Sequence, residues 1–558
     1  MDVLRMSDTS LVSSINNYNR KEIIRYFQKV WNNDALTPTD RYDLLHAFRD
    51  NIEFFPEKSD IGKAENQMQE GLFKNASEEN RTSTTEISRA DLERSPVLKY
   101  FYKSWANFLE LETPSFSMYL NPVLHLNYGK ECGTDTPVFQ NTRGLDLHAY
   151  IDKKVYIYLQ LLENQRSFLS YQNERIDRFN SLPGQGLYKT FESSVVGRLK
   201  GFDYFNAKAY VGFNATRSIN VELGHGNHFI GNGFRSLLLS DFSHNYFYLK
   251  LNTRIWKFQY QNIFAELAPI SVNSIPSDVL LPKKYTATHY LAFLPNPKFE
   301  VGLFETVVFG REKFFELQYL NPIILYRAVE HSLGSPDNVM LGLNLKWNFI
   351  KSFSVYGQLL LDEFKLSELR SGTGWWANKI AVQAGLKYMN VLSIDHLDMQ
   401  VEYNTARPYT YTHRDTLSVG TNISVANYSH FSQPLAHPLG ANFRETILLL
   451  RYRPIPKLQF SGRVLLTEWG DDFPGQNWGG NVLTPHNSRE QDYGNFTGQG
   501  KKTNITAAYL DIQYEFFHNF FADLNIMRRH TTVEGVSDNR TFVGAGIRVN
   551  IGAQNFDY

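Results

Sequence analysis

A single cysteine, Cys132, among 558 residues means that no disulfide framework can staple this chain and no cysteine-rich zinc site can form in it. Long apolar runs are missing as well: nothing approaches the roughly 20 residues that a membrane-spanning helix needs, and the mean hydropathy is only −0.37. An excess of either charge is also absent. Lys+Arg and Asp+Glu number 57 each, which removes the basic field on which sequence-independent nucleic-acid binding depends. No nucleic-acid partner is expected. What the chain has in quantity is aromatic residues, 15% of the total, with 41 Phe and 32 Tyr. A bundle of membrane helices would be more apolar and a disordered chain less aromatic, so the mixture suits a β protein with one wet face.

Residues 1–112 carry a helical period. Ile23, Ile24, Phe27, Val30 and Trp31 recur on one face, and Leu44, Leu45, Phe48 and Ile52 do so again after the start signal Thr37-Pro38-Thr39-Asp40. A polar linker at about 62–90, rich in Glu, Asn, Ser and Thr, separates these from a third helical pattern of Leu98, Phe101, Trp105 and Leu109. The whole reads as a small soluble helical region.

From residue 113 to 558 the period changes to two. Leu397, Met399, Val401 and Tyr403 alternate with Asp398, Gln400, Glu402 and Asn404, which puts the two sets on opposite faces of a strand. Leu341, Leu343, Leu345 and Trp347 alternate in the same way with Gly342, Asn344, Lys346 and Asn348. Leu510, Ile512 and Tyr514 do so with Asp511 and Gln513, and Val543, Ala545, Ile547 and Val549 with Arg548 and Asn550. Such segments number about eighteen or nineteen. A closed sheet of that size encloses a lumen wide enough for water, so the charged face belongs inside and the apolar face belongs in lipid. Trp256, Trp347, Trp469 and the pair Phe516-Phe517 sit where strands end, as interfacial girdles do. The chain also closes on an aromatic, Tyr558, loosely like the end signal of outer-membrane proteins. Such a barrel must be exported, and Met1–Val30 has no basic-then-apolar signal, so the sequence reads as a mature or trimmed form.

Three groups of residues invite a chemical reading. Gly224–Asp241 places four glycines within ten residues, around Gly231 and Gly233, beside His225, His228, Arg235, Ser236 and Ser240. It lacks the Gly-Lys-Ser/Thr end of a phosphate loop; two histidines fall short of a metal site, and a Ser/His/Asp trio this close occurs often by chance. A glycine-rich fold packed in the barrel is the preferred reading. Arg327, Glu330, His331 and Asp337 form a second cluster, and Asp362, Glu363, Glu402, Arg407 and Glu445 add charges near strand ends; all read as plug and lumen furniture. The segments Gly372–Asn378, with Trp375 and Trp376, and Trp469–Asn481, with Asp471, Asp472, Trp478 and Asn481, combine rings with amides and carboxylates. Sugars stack C–H faces on rings and pair hydroxyls with such groups, so these six residues are carbohydrate-contact candidates; the tryptophans read equally well as interface anchors.

Several runs in order carry a family resemblance. Gly231-Asn232-Gly233-Phe234-Arg235-Ser236-Leu237-Leu238-Leu239-Ser240, Leu320-Asn321-Pro322 followed by Arg327-Ala328-Val329-Glu330-His331, Asp362-Glu363-Phe364, and Glu402-Tyr403-Asn404 with Arg407-Pro408-Tyr409 resemble the Wzi-like capsule assembly family. With His437-Pro438-Leu439-Gly440-Ala441-Asn442-Phe443, they are most similar to its Bacteroidota branch, which includes the gliding-motility protein RemB. The resemblance covers roughly residues 110–558. It implies a barrel of about eighteen strands with an obstructed lumen and a periplasmic helical part, acting as a surface lectin for capsular polysaccharide or as an accessory of gliding and type IX secretion.

The expectation is an all-β chain: a transmembrane antiparallel β-barrel of about 18 strands in the cell outer membrane with an N-terminal helical periplasmic region. It is expected to be non-enzymatic, with no cofactor and no metal. Its expected partners are outer-membrane lipid, surface polysaccharide and, through the N-terminal region, secretion or gliding proteins. An open diffusion pore is the further alternative.

Overall fold

A computed structural model of the chain describes residues 12–15, 20–55, 102, 104–152, 154–193, 199–271, 281–311, 315–323, 325–334, 337–414, 424–554 and 557–558. The linker at about 62–90 lies outside these, as do Leu98 and Phe101 of the third helical pattern. Leu109, the last member of that pattern, opens a short strand, Leu109–Glu112, instead of lying on a helix.

Alternation dictates a sheet, and the sheet closes. Twenty antiparallel segments form it; Leu109–Glu112 and Lys189–Ser193 each pair along one neighbour only, which leaves eighteen staves. The first stave, Phe116–Glu131, pairs with the last, Val536–Val549, from Leu124 opposite Val549 to Glu131 opposite Phe542, and this removes every free edge. Outward residues are apolar and exposed, among them Leu223, Leu303, Leu341, Val401, Leu448, Leu510 and Val543. Their polar neighbours in sequence, such as Lys346, Glu402, Asn404 and Arg548, are buried in the lumen. That inversion is what lipid outside and polar groups inside demand: a Lys or Arg on the lipid face costs about 2–4 kcal/mol at mid-bilayer. Inside, charges are paired across staves, Arg548 with Asp523 at 2.5 and 3.0 Å and Arg463 with Asp511 at 3.0 Å.

The two ends differ. At one, most staves are joined by short turns, such as 256–257, 297–298 and 518–519; at the other, long loops such as 227–245, 407–442 and 472–500 run between strands. Trp256 and Trp347, 74% and 52% exposed, girdle the short-turn end. Trp469 departs from the girdle reading: it lies on the lumen side with Arg463, Leu465 and Thr467 and packs on the interior core. Tyr558 does not end a strand either. The chain turns back after Val549, and Tyr558 is buried in the lumen, where its backbone oxygen accepts from Arg529 Nη1 at 2.8 Å.

Two helices cover the short-turn end, α1 (Arg20–Trp31) and α2 (Pro38–Arg49). Thr37 caps α2 by the start signal seen in sequence: Asp40 N donates to Thr37 Oγ1 at 3.1 Å and Thr37 N donates to Asp40 Oδ2 at 3.0 Å, a box of about 1 kcal/mol. Their apolar faces bury Ile24, Val30, Leu44 and Phe48 against one another and against Ile52 just beyond α2, with Tyr119 as the barrel's contribution.

Candidate functional site

The long-loop end is built inward from the glycine-rich segment. Ile230, Leu237, Leu238 and Leu239 lie inside the lumen, packed with Tyr411, Tyr428, Leu435 and Leu439 from the 407–442 loop against Tyr290, Phe304, Met340 and Leu360 of the wall. Glycine is required where this loop meets the barrel. A Cβ at Gly231 would collide with the Gln358 amide, and one at Gly233 would lie 2.5 Å from Glu402 Oε2. The wall in turn gives up a side chain at Gly342, where a Cβ would come within 2.5 Å of Leu238.

Polar wall residues hold the loop by its backbone. Glu402 accepts from Phe234 N at 2.6 Å, Arg235 N at 2.9 Å, Tyr356 Oη at 2.7 Å and Asn404 Nδ2 at 2.9 Å. Gln358 takes Leu237 N at 2.8 Å, and the hydroxyls of Tyr411 and Tyr428 donate to the carbonyls of Leu237 and Leu238 at 2.8 Å each. Arg235 reaches Glu445 at 3.4 Å and Asp557 near the C-terminus at 3.3 Å, while His437 Nε2 lies 2.8 Å from the same Glu445. Near the N-terminus, residues 12–15 also enter: Ser14 O accepts from Gly231 N at 2.8 Å, and Ile15 bridges Ile230. Burial keeps the plug histidines neutral. His244 and His413 are pushed down to about 4 and His486 to about 2; His228 and His430 lie well below the usual range, and burial also lowers His437.

The polar groups of Gly224–Asp241 are engaged separately in this packing. Ser236 Oγ donates to Ile230 O at 2.6 Å and is fully buried, and the His225 ring lies beside His244, with centroids 5.8 Å apart. His228 Nδ1 meets Tyr246 Oη at 3.2 Å.

The residues read from sequence as plug and lumen furniture separate into three places. Gly231, Gly233 and Arg235 are in the plug, and Glu402 is on the wall that holds it. Asp362, Glu363 and Arg407 are at the rim: Asp362 accepts from Tyr411 N at 2.8 Å, Glu363 pairs with Lys379 at 3.1 Å, and burial raises the Asp362 carboxyl. Arg407 N donates to Ile380 O at 3.0 Å, beside the plug. Arg327, Glu330 and Asp337 are not in the lumen. Their loop carries a short helix, Tyr326–Leu333, that packs on the outside of the wall. There Tyr326 and Tyr319 cover Tyr285, Ala287, Val307 and Phe309, whose neighbours Tyr290, Phe304 and Val308 face the plug. Arg327 pairs with Glu330 at 2.7 Å in the open, and Asp337 pins the loop through Arg311 at 2.8 Å and the Tyr319 hydroxyl at 2.8 Å.

Above the plug the carbohydrate-contact candidates come together. Backbone bonds lace segment 373–376 to 492–495: Trp376 N to Asp492 O at 2.9 Å, Gly494 N to Thr373 O at 2.8 Å and Asn495 N to Gly374 O at 2.9 Å. Trp376 is fixed between Arg489, whose guanidinium carbon sits 4.2 Å from the ring centroid, and His486, with ring centroids 4.7 Å apart. Asp472 is committed to the loop's own backbone, accepting from Trp478 N at 2.7 Å and Asn481 N at 3.2 Å. Asp471 is held by Arg178 at 2.5 and 2.7 Å, and Asn481 Oδ1 by Leu483 N at 3.0 Å. The rings left partly open are Trp375 and Trp478, joined by Tyr493 at 53% and Phe496 at 61% exposure. Sequence reasoning passed over Tyr493 and Phe496, although Asp492-Tyr493-Gly494-Asn495-Phe496 has the same mixture of rings, amide and carboxylate as the two loops it singled out.

A closed antiparallel sheet of eighteen staves, apolar outside, charged inside and filled by its own loops, is an outer-membrane β-barrel, and its place is the bacterial outer membrane. Among solved structures the chain is similar to Wzi of Escherichia coli, described as a carbohydrate-binding β-barrel involved in group 1 capsule assembly. The TM-score is 0.54 at 13% identity, covering 99% of this chain and 96% of that one. It also matches OprD of Pseudomonas aeruginosa, at TM-score 0.42 and 8% identity over 78% of this chain and 96% of that one, and OccAB2 of Acinetobacter baumannii, at 0.40 and 10% over 77% and 97%. The sequence matches no protein-family description and no curated protein. The likeness to Wzi is one of fold.

Proposed function

We propose that this barrel holds polysaccharide at the cell surface, without turnover, on the ring-lined platform above its plug. The observation that carries the reading is the lacing of 373–376 to 492–495, the segments of Trp375, Tyr493 and Phe496, to which Trp478 is joined through Gln499 Nε2, donating to Trp478 O and Asn495 Oδ1 at 2.9 Å each. Rigid rings lose little entropy on binding, and each stacks on a sugar face. The Wzi structure, described as carbohydrate-binding, supports the same reading. In outer-membrane barrels short turns face the periplasm and long loops the outside, which supports a platform that faces outward and helices α1 and α2 that face the periplasm. Binding of cell-surface polysaccharide to the purified protein, measured by calorimetry, tests it: the double variant Trp375→Ala/Trp478→Ala is expected to lose at least tenfold in affinity while the barrel still folds. Unchanged affinity would remove the platform from the proposal.

A gliding or type IX secretion accessory is the second reading. It rests on the Bacteroidota-branch resemblance and on the helical region, and co-purification of secretion or motility proteins with the native barrel in gentle detergent is its test. Recovery of the barrel alone would count against it.

A further inference from the structure

Where α2 docks on the barrel rim, four side chains from distant parts of the sequence converge. His46 lies on α2 and Asp50 just beyond it; Glu515 is near the end of the stave Lys501–Phe517, and His518 is in the turn that follows. One ligand atom from each of His46, Glu515 and His518 falls within 4.8 Å of the others, the only such trio of His, Cys, Asp or Glu among the described residues. The imidazole rings lie 4.1 Å apart, and the side chains of Glu515 and His518 are 6% and 3% exposed.

Asp50 determines how the rings are presented. Its two oxygens take one nitrogen of each ring: His46 Nδ1 at 3.2 Å and His518 Nε2 at 2.9 Å. Carboxylate-held imidazoles of this kind offer their other nitrogen as a lone pair, the arrangement that orients histidine ligands around metals. The other nitrogen of His46, Nε2, is already 2.9 Å from Glu515 Oε1. Tyr42 Oη donates to the second Glu515 oxygen at 2.9 Å, which fixes that carboxylate. Asp50 and Asn519 also line a cavity of about 570 Å³, so the site lies next to open space. Two nitrogens and one carboxylate oxygen are three protein donors of the kind a zinc ion takes, with the fourth position left for a water.

We propose that His46, Glu515 and His518, oriented by Asp50, bind one zinc ion that ties the helical region to the barrel rim. No motif could announce it, because His46 and Glu515 stand 469 residues apart.

The full-length protein, purified in mild detergent and stripped by a chelator, is titrated with zinc sulfate by calorimetry and with cobalt(II) by visible absorption. The expected result is one zinc per chain and a cobalt spectrum of low coordination number. Affinity should fall at least tenfold in His46→Ala and in His518→Ala, and by about tenfold in Asp50→Asn. Retained heat-modifiable migration on gels shows that each variant still forms a barrel. Uptake of neither ion by the unaltered protein, or equal uptake by the His46→Ala/His518→Ala double variant, overturns the proposal. If the variants do not fold, modification of the unaltered protein by diethyl pyrocarbonate decides: zinc should protect His46 and His518, and equal labelling with and without zinc overturns it.

Discussion

The barrel is closed at both ends, by opposite means. At the long-loop end the stopper is part of the fold: Leu237 and Leu238 share one apolar core with the wall, and the loop backbone is bonded to Glu402 and Gln358. At the short-turn end α1 and α2 bury their apolar faces mostly on each other. They meet the rim through polar contacts, Arg453 with Asp43 at 2.5 Å, Thr37 with His396 at 2.6 Å and Glu22 with Arg254 at 2.8 Å. The plug is therefore expected to come out only if the barrel's interior is damaged. The helical cap should loosen under mild changes of solvent.

The largest break in that contrast should come from Glu402→Leu, which strands two buried backbone N–H groups and the Tyr356 hydroxyl. A loss of about 3–5 kcal/mol is expected, read as new conductance steps in planar bilayers beyond the low conductance expected of the unaltered protein. Gly342→Val comes next. It pushes on Leu238 from the wall side at a cost of about 1–3 kcal/mol, and proteolysis of the 227–245 loop should accelerate while the staves stay intact.

Acid should distinguish the ends further. His228, His244, His413, His430, His437 and His486 are held below the pKa of an unfolded histidine by burial. The unfolded plug therefore binds more protons once the pH drops below about 6.5. Their contribution is fully present above about 6.5 and is lost as the pH falls towards 4, the value to which His244 and His413 are lowered. Conductance or protease sensitivity followed from pH 7.5 to 4 should rise through that window, and a flat profile would show that the plug does not open on protonation. The smallest effect belongs to the cap: Asp43→Asn removes a pair in which Asp43 is 41% exposed, worth about 1 kcal/mol or less. Hydrogen exchange in α2 should quicken with no change in conductance.

Much of the fold could be read directly from the strands, because a period of two leaves only one assignment of faces once the lumen is too wide to fill with side chains. The Thr37–Asp40 start of α2 was equally plain, since a capping box is local. The site was less so. Arg327, Glu330 and Asp337 read as lumen charges, but which side of a wall a loop folds onto depends on the faces it meets, and Tyr326 found Ala287 and Val307 on the outside. Trp469 misled for a related reason: a tryptophan near a strand end serves a girdle or a plug depending only on its parity with Arg463 and Leu465.

By itself, then, the sequence determined the barrel, its size, its two faces and the glycine-rich stretch that would need close packing, because each is a matter of local period or local backbone freedom. Only the tertiary structure decided that residues near both chain ends enter the lumen to meet that stretch, at Ser14 and Asp557, and that the segment of Trp375 and Trp376 is laced to that of Tyr493 and Phe496. It also brought His46 to His518. These are contacts between segments more than a hundred residues apart, and their distances are set by closure of the sheet, which no local pattern encodes.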